Sequence, residues 1–190
     1  MKYEPTETLT WSANGVTMSQ AMCAALLEFA SDDAMRPHLC GVAISDGCLA
    51  ATDGHSLLRY DNPQCEPVRA LPLHGKLWSR AHVDMVYNLA KLEKRDVVLK
   101  FDGMLAEAEF PLIARVIPEP GFGKGNSHKQ EPVALNPEYL ARMVKVCKAL
   151  GNQGCLLTAM RGELDPIMYT ISGRKGCDVN ATVVIMPMRY

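Results

Sequence analysis

Asp53-Gly54-His55 sets a carboxylate two positions from an imidazole, a pairing suited to general acid–base work. The same residues are also ordinary turn chemistry, because glycine takes the positive φ that a tight turn after a strand needs. No Ser or Cys nearby has the setting of a nucleophile elbow, so the turn is the preferred reading and no enzyme is expected. Gly121-Phe122-Gly123-Lys124-Gly125 has the glycine density of a phosphate cradle. It lacks the G-K-[ST] ending and a following helix, and reads as a linker. The seven cysteines (Cys23, Cys40, Cys48, Cys65, Cys147, Cys155, Cys177) include no C-x-x-C pair and no histidine at zinc-ligand spacing. They read as buried reduced thiols, and no metal or cofactor is expected.

Two other groups of residues suggest binding. In the segment from Asn136 to Leu150, Leu140, Met143, Val144 and Cys147 cluster on one side at 100° per residue. Arg142, Lys145 and Lys148 fall roughly opposite and form a basic face, which Arg80, Lys91, Lys94 and Arg95 repeat less cleanly on an earlier helix. Such faces are usually only solvated, but they also suit phosphate contact. The chain then runs apolar through Val183-Val184-Ile185-Met186-Pro187-Met188-Arg189-Tyr190, where polar, fraying residues are usual. Val183–Met186 reads as a core strand, and Met186, Pro187, Met188 and Tyr190 as a soft apolar edge suited to receiving a peptide.

The elements that must position these groups are legible in part. Thr17 to Ser31 reads as an amphipathic helix opened by a Thr17-x-x-Gln20 capping box, with Met18, Met22, Leu26 and Phe29 on one face. Ser79 to about Lys94 reads as a second helix, with Ser79 as N-cap and Val83, Val86, Tyr87 and Ala90 inward. The third, Asn136 to Leu150, has Asn136 as cap, Pro137 at its first position and Gly151 just past its end. Cys40–Ile44 and Cys48–Thr52 flank Asp46-Gly47, and Val97–Phe101 and Met104–Ala108 flank Asp102-Gly103, so two hairpins are expected. Cys155–Met160, Pro166–Ile171 and Asn180–Met186 read as three further strands. Strand, helix and antiparallel hairpin thus recur at about 6–62, 68–110 and 131–190, an internal repeat of pattern more than of identity.

With 190 residues, 48% hydrophobic and 22% charged, the chain can bury a substantial core. Its net charge of −1 provides no overall field for nucleic acid, so any such affinity must come from a local face. There is no secretory-signal pattern and no apolar run long enough to span a membrane, and a cytoplasmic location is expected. Residues 118–130 form the expected linker between 1–117, which holds two of the recurring units, and 131–190, which holds one.

Four motifs carry a family resemblance. Leu49-Ala50-Ala51-Thr52-Asp53-Gly54-His55-Ser56-Leu57 is similar to V-A-T-D-G-H-R-L, and Phe110-Pro111-Leu112-Ile113-Ala114-Arg115-Val116-Ile117-Pro118 to F-P-D-Y-R-R-V-L-P. Asn136-Pro137-Glu138-Tyr139-Leu140 is similar to N-x-x-Y-L, and Val184-Ile185-Met186-Pro187-Met188-Arg189 to V-V-M-P-M-R. Together, and in this order, they resemble the bacterial DNA polymerase III β subunit, the replicative sliding clamp. The resemblance spans most of the chain from about residue 8. It implies an α+β, DNA-clamp-like fold of repeated β-α-β units, with helices lining a DNA-sized hole and antiparallel sheets outside. It gives Arg80, Lys91, Arg142, Lys145 and Lys148 a role in holding double-stranded DNA without sequence readout. It also implies a pocket for clamp-motif peptides of DNA polymerases and clamp loaders. The pocket residues would be Leu39, Thr52, Gly54, His55, Leu57, Pro111, Arg115, Val116, Asn136, Tyr139, Val184, Ile185, Met186, Pro187, Met188 and Arg189.

The departures from the family are as specific. Its first domain and half of its third have no counterpart, so the usual two-chain ring is not expected. A ring of twelve units, at three per chain, implies a homotetramer, and the alternative is a decoy that competes with a full-length clamp without encircling DNA. Ser56 stands where the family has Arg, Leu112-Ile113-Ala114 replaces D-Y-R, Tyr190 replaces a terminal Leu, and the second unit is a strand short.

Overall fold

A computed structural model describes residues 9–45, 47–61, 73, 76–105, 110–111, 117, 134–151, 157–159, 165–173 and 179–188. The linker expected at 118–130 and the strand starts and ends at Cys155, Leu156 and Met160 lie outside them.

The chain opens with a hairpin, β1 (Leu9–Ser12) and β2 (Gly15–Met18), before α1 (Gln20–Phe29). This corrects the expected helix start. Thr17 is a strand residue paired with Val98, and Ser19 caps α1 by accepting the Met22 N–H at 3.3 Å. The β-branched pair Val16-Thr17 favours the strand, which leaves the first good capping oxygen at Ser19. Then come β3 (Gly41–Ser45), β4 (Cys48–Thr52), β5 (Ser56–Asp61) and β6 (Leu77–Ser79). Next are α2 (Arg80–Glu93), capped by Ser79, and β7 (Val97–Lys100). Last come α3 (Pro137–Ala149), β8 (Leu157–Ala159), β9 (Ile167–Ser172) and β10 (Asn180–Ile185).

The expected hairpin around Asp102-Gly103 is absent from the described residues. Phe101–Gly103 is a 3-10 turn, Leu105 bridges Leu77 rather than β7, and Phe101 stacks on Trp78 with centroids 6.2 Å apart. Aromatic packing and the Phe101 N–H to Asn14 carbonyl bond at 3.0 Å draw the chain away from β7.

The strands form a three-stranded sheet ordered β1-β2-β7 and a seven-stranded antiparallel sheet ordered β6-β3-β4-β5-β10-β9-β8. The larger sheet is continuous across the β5/β10 seam, with Val184 opposite Leu57 and Ile185 opposite Ser56. Helices α1, α2 and α3 pack against one another and the sheets with α1 in the middle, so that Met22, Leu26, Phe29, Leu58, Tyr60, Trp78 and Val183 are fully buried. Burial of each such side chain contributes roughly 1.5–3 kcal/mol. A smaller cluster of Ala43, Ala50, Leu57, Leu77, Phe110 and Val184 covers the opposite face of the large sheet. β4 is consequently buried along its whole length.

The inward face of α3 differs from expectation. Met143, Val146, Ala149 and Leu150 are buried, whereas Leu140 and Val144 are exposed. The helix is rotated because it seats against α1 on one side and the β4/β5 turn on the other.

Candidate partner-binding site

The site begins at the β4/β5 turn. Gly54 has φ +91°, which a side-chain-bearing residue rarely adopts, and this lets Asp53 fold its carboxylate back over the turn. Asp53 Oδ1 accepts the backbone N–H groups of His55 at 2.9 Å and Ser56 at 2.7 Å. Thr52 Oγ1 accepts the Gly54 N–H at 3.1 Å and donates to the Ser56 carbonyl at 2.8 Å. Leu39 closes over the turn, its Cδ1 3.6 Å from where a Cβ on Gly54 would stand. The carboxylate–imidazole pair is therefore a turn, with Asp53 occupied by backbone and by Arg142.

Three chain segments converge here. Beyond β10, Met186 donates its N–H to the His55 carbonyl at 2.9 Å and Met188 donates to Ala134 at 2.9 Å. The Ala134/Met188 bridge leads directly into α3, where Asn136 Oδ1 caps the helix by accepting the Glu138 N–H at 3.0 Å. One turn on, Arg142 donates to Asp53 Oδ2 at 2.5 Å and to Ser56 Oγ at 3.1 Å, and its guanidinium lies 5.2 Å from the Tyr139 ring centroid. Burial pushes the Asp53 carboxyl up, but hydrogen bonds from Arg142, His55 and Ser56 outweigh it and hold the pKa below the usual range. Tyr139 shifts upward, mainly through burial and then through the nearby Asp53 charge.

Sheet alternation divides the expected wall residues. Thr52, Leu57 and Val184 stand opposite one another in register on the sheet face away from the helices, and Met168 of β9 continues the row. Ile185 is a correction, because the period of two turns it into the helix-side core, fully buried, where it can line no outer pocket. Gly54, His55, Met186 and Met188 are exposed, and Pro111, Asn136, Tyr139 and Pro187 half-buried. Leu39, Thr52, Leu57 and Val184 are buried, with Leu57 and Val184 packed against Phe110. Arg115, Val116 and Arg189 lie outside the described residues. Sequence reasoning missed Met168, although it alternates with Ile167, Tyr169 and Ile171 and so marks a second apolar face on β9.

The cations expected to meet DNA divide as well. Arg80 donates to the carbonyls of Leu27, at 2.7 Å, and Ala30, closing the end of α1. Arg142 is held in the turn, and Lys145 pairs with Glu28. Lys91 and Lys148 are exposed. Between the three helices a cleft of about 380 Å³ is lined by Glu28, Asp32, Asp53 and Asp84 as well as by Arg80 and Arg142. Among the described residues no group of three or more His, Cys, Asp or Glu could hold a metal, and no helix is long and apolar enough to cross a membrane.

Helices layered on one side of antiparallel sheets, in repeated strand–helix–strand units with a seam running from unit to unit, are the architecture of a DNA sliding clamp. The chain has that fold. A clamp (DNA polymerase III subunit beta) from Bartonella birtlesii bound to griselimycin superposes with TM-score 0.58 at 17% identity, covering 98% of this chain and 68% of that one. The β sliding clamp of C. crescentus gives 0.58 at 16% identity, covering 100% and 69%. The β subunit from Thermotoga maritima gives 0.57 at 14%, covering 100% and 68%. No protein-family model and no curated protein sequence matches the chain. Likeness at this identity establishes the α+β clamp fold.

Proposed function

We infer that this chain is a non-enzymatic, clamp-fold partner protein that takes the short hydrophobic clamp motifs of DNA polymerases or clamp loaders. The carrying observation is the convergence at the β5/β10 seam. His55 and Met186 are joined by a backbone hydrogen bond, with Met188 and the start of α3 alongside. Exposed Met186 and Met188 supply adaptable apolar contact, and the groups around them include His55 and Tyr139, which offer polar rims. Fluorescence anisotropy with a labelled Q-x-x-L-F peptide tests the reading, and griselimycin, which the Bartonella clamp binds, is a second probe. Saturable binding that His55→Ala with Met186→Ala weakens is the expected result. Binding that survives the double substitution moves the site elsewhere.

A specific observation separates the two ways such a protein can act. Arg80, Arg142 and Lys145 are engaged within the chain, and Glu28, Asp32 and Asp84 share the helix layer with them, which leaves little surplus positive charge for a phosphate backbone. This supports the decoy, a regulator that occupies the partners of a full-length clamp without encircling DNA, over the tetrameric ring. Retention on nicked circular DNA separates them, because only a ring stays on the circle and slides off once it is linearised. The expectation is no topological retention.

A further inference from the structure

Two thioethers stand in the exposed part of the seam. Met186 is 37% exposed and Met188 49%, while Ile185 before them is buried and Pro187 between them half-buried. That alternation is the period of two of an extended segment, so both methionines emerge on the same side. The backbone fixes them there, because the Met186 N–H is bonded to the His55 carbonyl and the Met188 N–H to the Ala134 carbonyl. Among the other described methionines, Met18, Met22 and Met143 are buried, whereas Met85 is exposed on α2, which α1 separates from α3.

Exposure decides which of these sulfurs an oxidant reaches. A thioether reacts through its own lone pair and has no proton to lose. The burial that pushes the Cys23 and Cys48 thiols up to about 12, and so withholds their thiolates, has no counterpart at Met186 and Met188. The sulfur lone pair attacks one oxygen of hydrogen peroxide, the O–O bond breaks and an S–O bond forms. The hydroxide that leaves takes the proton of the transferred oxygen and becomes water. Methionine loses two electrons, and the peroxide gains them. The product sets a strong acceptor oxygen where a soft apolar contact stood, and a docked apolar side chain cannot satisfy it.

We propose that Met186 and Met188 form a modification site, at which oxidation to the sulfoxide by a peroxide reversibly switches off apolar peptide binding at the seam. The inference rests on the peptide reading of that surface and gives it a form of regulation.

The test is to oxidise the full chain in part with hydrogen peroxide, pass it over immobilised Q-x-x-L-F peptide, and map sulfoxides in the bound and unbound fractions by mass spectrometry. Sulfoxide at Met186 and Met188 should be depleted from the bound fraction by about tenfold. Sulfoxide at Met85 should divide equally between the fractions. Methionine sulfoxide reductases should return the unbound fraction to the bound one. Met186→Leu with Met188→Leu keeps two apolar side chains without sulfur, so the affinity of that variant should be the same before and after peroxide. Equal partition of the Met186 and Met188 sulfoxides overturns the proposal, as does a chain in which Met85 reacts and these two do not. Failure of the reductases to restore capture assigns the loss to damage elsewhere and overturns it too. Capture of untreated chain without sulfoxide partition removes this inference alone, whereas untreated chain that is not captured removes the peptide reading and this inference with it.

Discussion

Arg142 and Asp53, 89 positions apart in sequence, meet at 2.5 Å and are the polar fastening between α3 and the β4/β5 turn. The pair is mostly buried, with side chains 23% and 16% exposed, and each partner has other duties. Asp53 organises the turn by accepting two backbone N–H groups, while Arg142 also reaches Ser56 and covers Tyr139. The fastening thus holds together the segments that bear His55, Tyr139 and Met186.

Arg142→Gln should lower unfolding stability by about 2–4 kcal/mol, because it leaves a largely buried carboxylate without its cation. Urea denaturation with an unchanged m-value measures this. A loss within error of zero would mean that the pair is only a surface contact. Peptide affinity should fall as well, since Tyr139 and the turn lose their common anchor.

The same pair fixes an acid limit. The pKa of Asp53 is lower in the folded chain than its unfolded value of about 3.9, so its contribution is complete above that value and is lost as pH falls through the folded pKa. Stability of the native chain should therefore decline below about pH 4. Arg142→Gln should show a shallower decline over that window, because the folded-state shift is smaller. Equal slopes in the two proteins would remove Asp53 from the acid transition.

Gly54→Ala should cost about 1–2 kcal/mol, since alanine is disfavoured at positive φ. Its Cβ would also stand 3.1 Å from Arg36 Nη1, so the Arg36 side chain must give way. The turn displaces His55 when it relaxes, and weaker peptide binding should accompany the lost stability. Unchanged affinity would detach the turn from the binding surface.

How much of this was legible in the sequence depended on the range of the interaction. α3 was readable because Asn136, Pro137 and Gly151 each act within a few residues. The β1/β2 hairpin was missed because four-residue strands carry too few alternations to stand out, and Thr17-x-x-Gln20 imitated a cap. The motif order around Asp53 and the apolar run at Val184 pointed to the two strands that pair at the β5/β10 seam. The register that turns Ile185 inward and brings Met168 into the outer row is set by pairing between distant strands. The cations show the same boundary. A helical wheel gives the side on which Arg142 and Lys145 emerge, but not that Asp53 and Glu28 wait there.

The cysteines offer a chemical check on the packing. Burial, with Asp84 nearby, pushes the Cys23 thiol up to about 12, and burial followed by the Asp61 charge does the same for Cys48. The nucleophile in alkylation is the thiolate, so both should remain unmodified in the native chain at mildly alkaline pH. Mass mapping after a short iodoacetamide pulse should place label on half-buried Cys40 and Cys147 before these two. Early labelling of Cys23 would mean that α1 opens away from the sheet.

Arg80 tests whether the basic residues serve DNA or the fold. Its guanidinium donates to the Leu27 and Ala30 carbonyls, at the end of α1 where backbone acceptors lack helical partners and the helix dipole is negative. Arg80→Met keeps the aliphatic stem and removes those bonds, so stability should fall by about 1.5–3 kcal/mol, the range for hydrogen bonds to a charged group. Lys148→Met removes an exposed charge and should change stability by no more than about 0.5 kcal/mol. Thermal and urea unfolding of the two variants give the comparison. Equal, small effects would return Arg80 to the solvent-facing role that its place beside Lys91 suggests, whereas a loss confined to Arg80→Met makes it the clamp between α1 and α2.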